Sequence, residues 1–474
     1  MSAAEQNSSN PEEENKQAGE KQKTVSILND YHPFEILEKY REKLARSGEE
    51  SIARRSLVGL LDSGSFAETG DFVGFDPEDL ESEKKAGDGI SCGFGEINER
   101  RVAVVLFDSS IKKGTFSRRN CRILKRFIDR TRRRRLPLVL IVDSNGIRPG
   151  ENVTGLAETA GVMEKLDSCG GVIPRICLVV GRCRHTAAMM AGLSDVVIGA
   201  AEAEPPDSGE KTTLKGEGFY DLYASDIPGA VELTVRCLNY LPDNSSEDSY
   251  VLQGEPPDIS RNPGEIVPAD KSRPYDVKKV IRSIFDGKSF LETREDEAKN
   301  IVTGFARLDG RAVGVVANQP RFRAGTLDGA AGDKAADFIR FCDTFNLPVV
   351  LLVDLPGFLP ASEREQTGMI NRTARLFTTC CRLEVPLVTL ITRKAYDTAY
   401  TVMGAPTGSV DYLCAWPRAE VAVTEKETGN EEPDPEFYQF GDPWEAAGEG
   451  YIDKIIEPAE TREILVGLVT SDKF

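Results

Sequence analysis

Four segments recur in the same order along this 474-residue chain, and no other feature constrains its fold as strongly. Arg55-Ser-Leu-Val-Gly-Leu-Leu-Asp-Ser-Gly-Ser-Phe-Ala-Glu68 returns as Val280-Ile-Arg-Ser-Ile-Phe-Asp-Gly-Lys-Ser-Phe-Leu-Glu292. Gly93-Phe-Gly-Glu-Ile-Asn-Glu-Arg-Arg-Val-Ala-Val-Val105 returns as Gly304-Phe-Ala-Arg-Leu-Asp-Gly-Arg-Ala-Val-Gly-Val-Val316. Leu136-Pro-Leu-Val-Leu-Ile-Val-Asp143 answers Leu347-Pro-Val-Val-Leu-Leu-Val-Asp354, and Val172-Ile-Pro-Arg-Ile-Cys-Leu-Val-Val180 answers Val385-Pro-Leu-Val-Thr-Leu-Ile391. The offset is 224 residues for the first segment and 211 to 212 for the other three, so the chain reads as one ancestral domain duplicated.

Each half carries the same punctuation. Alternating segments around an Asn or Gly turn (97–107 and 306–317) predict a hairpin with one solvated face. A helix follows, from Ser117 to about Arg134 and from Asp333 to about Phe345. Leu-Pro then opens a continuous apolar run, the pattern of a strand buried on both faces. These runs end in Asp-Ser-Asn-Gly (143–146) and Asp-Leu-Pro-Gly (354–357). A helix, a second buried strand and a short loop into another helix (181–192 and 393–404) complete each half. Strands alternating with helices in this way predict an α/β fold with parallel strands.

Residues 1–25 are polar and aperiodic and are expected to be a disordered tail. Pro-, Gly-, Ser- and acid-rich stretches at 202–218 and 243–270 divide the rest into lobes 26–265 and 270–474. No apolar stretch near the start resembles a secretory leader, and the longest apolar runs are about a third of a bilayer span. Ten cysteines form no CxxC, and the net charge is −18. Together these features favour the reducing cytoplasm, with no membrane and no nucleic-acid partner.

The chemistry is narrowed by scarcity. Only His32 and His185 are present, so no His-rich metal site can form, and no metal is expected. Gly287-Lys288-Ser289 resembles the end of a phosphate loop, but Arg282 stands where that loop requires Gly. In α/β sheets ligands gather beyond strand C-termini, where backbone N–H groups can hold an oxyanion such as a thioester enolate. Each half has two such places. Any one of them alone is equally an ordinary connection; four symmetric ones point to a two-centred site. Lys112 to Arg135 carries twelve Lys or Arg against one acid, Asp129. That stretch fits a clamp for phosphates, such as the nucleotide end of coenzyme A, or a solvated or docking face. Cys380-Cys381 sits in a helical stretch and reads as structural.

The second half adds a dense set of motifs. They are Lys299-Asn-Ile-Val-Thr-Gly-Phe-Ala-Arg-Leu-Asp-Gly-Arg311, Val316-Ala-Asn-Gln-Pro320, Asp333-Lys-Ala-Ala-Asp-Phe-Ile-Arg-Phe-Cys-Asp343, Val353-Asp-Leu-Pro-Gly-Phe-Leu-Pro360, Ile391-Thr-Arg-Lys-Ala-Tyr396, Ala415-Trp-Pro417 and Gly450-Tyr-Ile-Asp453. The first half adds Leu60-Leu-Asp-Ser-Gly-Ser-Phe66, Gly87-Asp-Gly-Ile90, Gly171-Val-Ile-Pro174 and Leu238-Asn-Tyr-Leu-Pro242. This set closely resembles the carboxyltransferase (β) subunits of biotin-dependent acyl-CoA carboxylases, over about residues 55–474. The resemblance implies two tandem crotonase-like lobes, the first holding acyl-CoA and the second receiving carboxybiotin from a separate carrier subunit. It also implies pairing of subunits, as dimers or a larger ring such as a hexamer. Backbone oxyanion holes are then expected at His185, Thr186, Thr398 and Ala399. Substrate contacts are expected at Asn145, Gly146, Arg118, Arg119 and Arg122 in the first lobe, and at Gly357 and Tyr396 in the second.

The chain departs from the family at both turns. The family's Gly-Pro-Cys-Ala-Gly-Gly-Ala is here Gly181-Arg-Cys-Arg-His-Thr-Ala187, and Lys-Ala-Tyr-Gly-Gly-Ala-Tyr is Lys394-Ala-Tyr-Asp-Thr-Ala-Tyr400. The family's Ser-Gly-Gly-Ala-Arg is Ser144-Asn-Gly-Ile-Arg148, and the excursion after Ala415-Trp-Pro417 is an acidic stretch, Glu425 to Asp442. Glycine allows close approach and unusual φ/ψ that Cβ-bearing residues resist. Three readings therefore remain at this level. The chain is a carboxyltransferase component, a biotin-independent decarboxylase or other enolate-forming enzyme, or a non-catalytic partner subunit.

Overall fold

The computed structural model describes residues 31–48, 51–82, 85–204, 218–359, 368–423 and 441–470. The expected tail at 1–25 and most of the acidic stretch after Ala422 lie outside them. The first sheet has seven strands that neighbour one another in chain order: β1 (Ala67–Thr69), β2 (Ile90–Ile97), β3 (Arg100–Phe107), β4 (Leu138–Ser144), β5 (Arg175–Cys183), β6 (Val196–Ala200) and β7 (Leu222–Ala224). β1 to β3 pair antiparallel, and β3 to β7 are parallel. The second sheet repeats this with β8 (Leu291–Thr293), β9 (Ile301–Leu308), β10 (Arg311–Asn318), β11 (Val349–Leu355), β12 (Leu387–Tyr396), β13 (Tyr412–Ala415), β14 (Glu420–Ala422) and β15 (Lys454–Ile455). There β14 lies along the end of β12.

The duplication holds to the level of register. Phe94 faces Ala103 and Phe305 faces Gly314; Ala103 faces Leu138 and Gly314 faces Val349. The two central parallel pairs slip register at the same place, between Val142 and Ser144 and between Val353 and Leu355. Both hairpins turn on residues with positive φ, Asn98-Glu99 and Asp309-Gly310. In each lobe one aspartate accepts from both turn amides, Asp62 in the first and Asp286 in the second.

Every residue of β4 and β11 is buried, as their unbroken apolar runs require. The hairpins differ from expectation: β9 is buried throughout and β10 everywhere but Arg311, so neither has a wet face. The cause is packing between lobes. Phe305 and Val316 face a core shared with Leu57, Leu60 and Leu241 of the first lobe, whereas Val302, Ala306 and Val313 face the helices Val277–Ile284 and Thr461–Thr470. Tyr240 stacks on Phe305 at 5.5 Å across this junction, and its hydroxyl donates to the Ser289 carbonyl. From Leu252 onward the chain already bonds to the second lobe, through Leu252 N to Gly310 O and Ile259 N to Arg282 O. The helix Arg118–Arg134 is set by Ser117, whose side chain accepts from Asn120 N in a capping box. Its counterpart, Gly329–Thr344, starts earlier than the sequence periodicity suggests because Asp328 caps Ala331.

Candidate functional site

In each lobe the two central parallel strands end side by side, and a loop from one meets a turn from the other. In the first lobe β4 runs into Asn145-Gly146, where Gly146 takes φ +84. The Gly146 carbonyl accepts from Phe116 N, and Arg148 N donates to the Phe116 carbonyl, each at 2.9 Å. β5 runs into a tight turn, Arg184 to Ala187, closed by Ala187 N to Arg184 O at 3.0 Å. His185 is its second residue, with φ 51 and ψ −116. That is the type II′ geometry, which glycine dominates. Loop and turn touch: a Cβ built on Gly146 would lie 3.0 Å from the Arg184 carbonyl oxygen and 3.1 Å from His185 Cβ. Asn145, Gly146, His185 and Thr186 are thus brought together.

The second lobe reproduces the arrangement. Leu327 N donates to the Gly357 carbonyl at 3.0 Å, and Leu359 N to the Leu327 carbonyl at 3.2 Å. Gly357 has φ +129, and a Cβ there would meet only Asp397 Oδ2, at 3.9 Å. Asp397, at φ 56, stands where the first lobe has His185. Gly357, Tyr396, Thr398 and Ala399 cluster here, with Thr398 exposed and Ala399 buried. A positive φ therefore persists at both turns although glycine is gone from both. Lys112 and Lys113 also share positive φ with Arg323 and Ala324, so the strain itself is duplicated.

Asp397 holds the Gly-Gly position of its turn as His185 does in the first lobe, 212 residues earlier, yet the expected oxyanion residues of the second lobe, Thr398 and Ala399, left it out. Sequence reasoning also missed the aspartates that end β4 and β11. Asp143 accepts from Arg182 N at 2.9 Å and from the Ser109 hydroxyl; Asp354 accepts from Lys394 N at 3.3 Å and from Arg393 Nε at 2.9 Å. Both pin the following strand as it enters its turn, and the repeated Val-Asp was the signal. Burial pushes the Asp354 carboxyl up, opposed by the Arg393 guanidinium. That guanidinium also lies over the Tyr275 ring at 5.0 Å. Tyr396 donates its hydroxyl to Glu420, which also pairs with Lys271. Burial raises the Tyr396 phenol.

Arg118, Arg119 and Arg122 lie exposed on the first turns of their helix and make no ion pair among the described residues. The basic turn before that helix adjoins the loop, since Asn145 N donates to the Lys113 carbonyl at 3.1 Å. Asn145 Oδ1 is buried without a protein partner. Cys380 is buried and Cys381 exposed, away from both turns in sequence. Among the described residues no group of three or more His, Cys, Asp or Glu could hold a metal ion. No helix among them is long and apolar enough to cross a membrane.

Two tandem lobes, each presenting a loop and a strained turn at the ends of its central parallel strands, define a double crotonase-like protein. Residues 45–206 and 203–431 each match the carboxyl transferase domain. The chain belongs to the carboxyl transferase family. It is 34% identical over 489 residues to the propionyl-CoA carboxylase carboxyltransferase subunit of Haloferax mediterranei, covering 91% of this chain and 94% of that one. It is 31% identical to the methylmalonyl-CoA decarboxylase α subunit of Veillonella parvula, again over 91% and 94%. Among solved structures it is similar to transcarboxylase 12S, a hexamer with methylmalonyl-CoA and methylmalonic acid bound. The TM-score is 0.80 at 30% identity over 90% of each chain.

Proposed function

We propose that this chain is the carboxyltransferase component of an acyl-CoA carboxylase. It would move a carboxyl group from carboxybiotin, carried by a separate subunit, to the α-carbon of an acyl-CoA thioester through an enolate. The observation that carries this reading is the positive φ kept at both His185 and Asp397, the residues in the Gly-Gly position of each turn. A turn held in that geometry keeps its backbone amides aimed at one place, which is the requirement for stabilising a developing oxyanion.

In this reading the first lobe holds acyl-CoA. Amides of His185 and Thr186 face the thioester oxygen, Asn145-Gly146 forms the floor beside it, and Arg118, Arg119 and Arg122 pair with the phosphates of the nucleotide end. The second lobe takes the carboxybiotin ring, with amides of Thr398 and Ala399, the Gly357 floor and Tyr396 at its edge. The open space over Gly357 fits an entering ring, with the Asp397 carboxylate at its edge. Carboxybiotin supplies the carboxyl group; the chain's residues orient the thioester and hold the enolate charge. We further propose a homo-oligomer built on subunit pairs, a cytoplasmic setting, and no resident metal.

The test is reconstitution with a biotin carboxylase and its biotinylated carrier, verified as carboxylated, and a panel of acyl-CoA thioesters. Incorporation of labelled bicarbonate into the acyl-CoA supports the proposal, and its absence across the panel overturns it. Carbon dioxide release from a malonyl-type thioester without biotin would instead identify a decarboxylase. Neither activity would leave a non-catalytic partner subunit.

A further inference from the structure

One buried carboxylate of the first lobe, Asp88, has no acidic counterpart at its position in the second. Asp88 sits between two glycines of positive φ, Gly87 at +102 and Gly89 at +80. A Cβ on Gly89 would fall 2.3 Å from the Ile111 carbonyl oxygen, so the Gly-Asp-Gly sequence is what lets the chain tuck Asp88 beneath the basic turn. The Asp88 side chain is 2% exposed. Its Oδ1 accepts from Arg148 at 2.6 Å and from Lys112 at 3.4 Å, and its Oδ2 accepts from the Ser117 hydroxyl. Its backbone carbonyl accepts from Arg148 at 2.9 Å and from Asn120 Nδ2 at 3.4 Å. Arg148 in turn donates to the Thr115 hydroxyl and carbonyl, each at 3.1 Å.

These partners belong to three separate pieces of the candidate site. Ser117 is the cap of the helix that carries Arg118, Arg119 and Arg122; Arg148 ends the Asn145-Gly146 loop; Lys112 opens the strained basic turn. The second lobe has no equivalent. There Ser117 corresponds to Asp328, paired with Arg323 at 2.7 Å; Arg148 corresponds to Leu359, and Asp88 to Lys299. One buried carboxylate thus fastens the start of the cationic helix to the loop beside the thioester position, in one lobe alone.

We infer that Asp88 is a positioning residue that couples the phosphate clamp to the thioester loop, so that binding the nucleotide end of the substrate aligns the reacting end. The inference rests on the assignment of the first lobe to acyl-CoA. Binding energy from a remote part of a substrate raises turnover only when something rigid transmits it to the reacting centre. Asp88 with Arg148 and Ser117 is that connection.

The test compares an acyl-CoA with the same acyl group on pantetheine, which lacks the nucleotide and its phosphates. It uses the wild-type chain and Asp88→Asn in the complete reconstituted carboxylase. The wild type should turn over the acyl-CoA at least about tenfold faster at saturation. In Asp88→Asn that ratio should collapse to within about twofold, while the KM for the carboxylated carrier stays nearly unchanged. Equal losses on both thioesters would make Asp88 merely structural and overturn the inference, as would an undiminished ratio. Amide hydrogen exchange of the full-length chain gives a readout without turnover. Segments 117–122 and 145–148 should both exchange faster in Asp88→Asn, and loosening of only one would refute the coupling. A wild type that shows this paired protection but carboxylates nothing would sink the proposed activity and leave the coupling standing.

Discussion

Replacing His185 and Asp397 by glycine should stabilise the protein, because both hold a backbone conformation that a Cβ opposes. A residue confined to a sparsely populated φ/ψ region costs about 1–3 kcal/mol. Glycine removes that cost but gives back about 0.5–1 kcal/mol in the entropy of the unfolded chain. His185, at φ 51 and ψ −116, is exposed, so its side chain contributes little packing to lose. The expected net gain is about 1 kcal/mol for His185→Gly. It should be less for Asp397→Gly, whose half-buried carboxylate lies over Gly357. The two sites are in different lobes and should add. For cooperative units of this size a gain of 1 kcal/mol raises Tm by about 2–4 °C, which differential scanning calorimetry resolves. His185→Ala keeps the Cβ and should gain nothing. Equal stabilisation by alanine and glycine, or a loss of stability in the glycine variant, would refute the strain argument. Activity divides along the same line. If backbone amides hold the oxyanion, His185→Gly and His185→Ala should both keep turnover within a few-fold. Abolition by His185→Ala would make the imidazole itself the general base or donor.

Charge reversal of Arg118, Arg119 and Arg122 should weaken acyl-CoA binding and flatten its salt dependence in titration calorimetry; unchanged affinity at low salt would return the helix to solvent or protein contacts. Asp354→Ala should destabilise the second lobe by about 3–5 kcal/mol in urea unfolding, because it strands the Arg393 guanidinium, only 5% exposed, without its carboxylate. Lys334 donates to the carbonyls of Arg294, Glu297 and Ile301, yet burial pulls its ammonium down to about 8. The unfolded chain, with lysine near ~10.4, therefore binds more protons between those values. Stability should accordingly rise from about pH 8 to pH 10, and Lys334→Met should abolish that rise while lowering stability at pH 7. Light scattering at micromolar concentration should show at least a dimer, and a monodisperse monomer would exclude a site shared between subunits.

The duplication, the α/β class and the loops that end β4, β5, β11 and β12 were all readable in the sequence. They depend on periodicity, on turn residues and on repeats such as Val-Asp143 and Val-Asp354, which act locally along the chain. The helix start at Ser117 and the unbroken runs of β4 and β11 were legible for the same reason. What the residues alone left open was whether His185 and Asp397 had abolished the turns, since a substitution in a string says nothing about φ. Tertiary structure decided that: the register slip after Val142 and Val353, with Asp143 and Asp354 bonded across to the next strand, fixes each turn from outside it. The buried hairpins β9 and β10 and the Asp88 network were also beyond the sequence. One depends on a second lobe packing against the first, the other on a carboxylate meeting groups 24 to 60 residues away. Local propensity carries no information about such distant partners; only the packed chain brings them within hydrogen-bond reach.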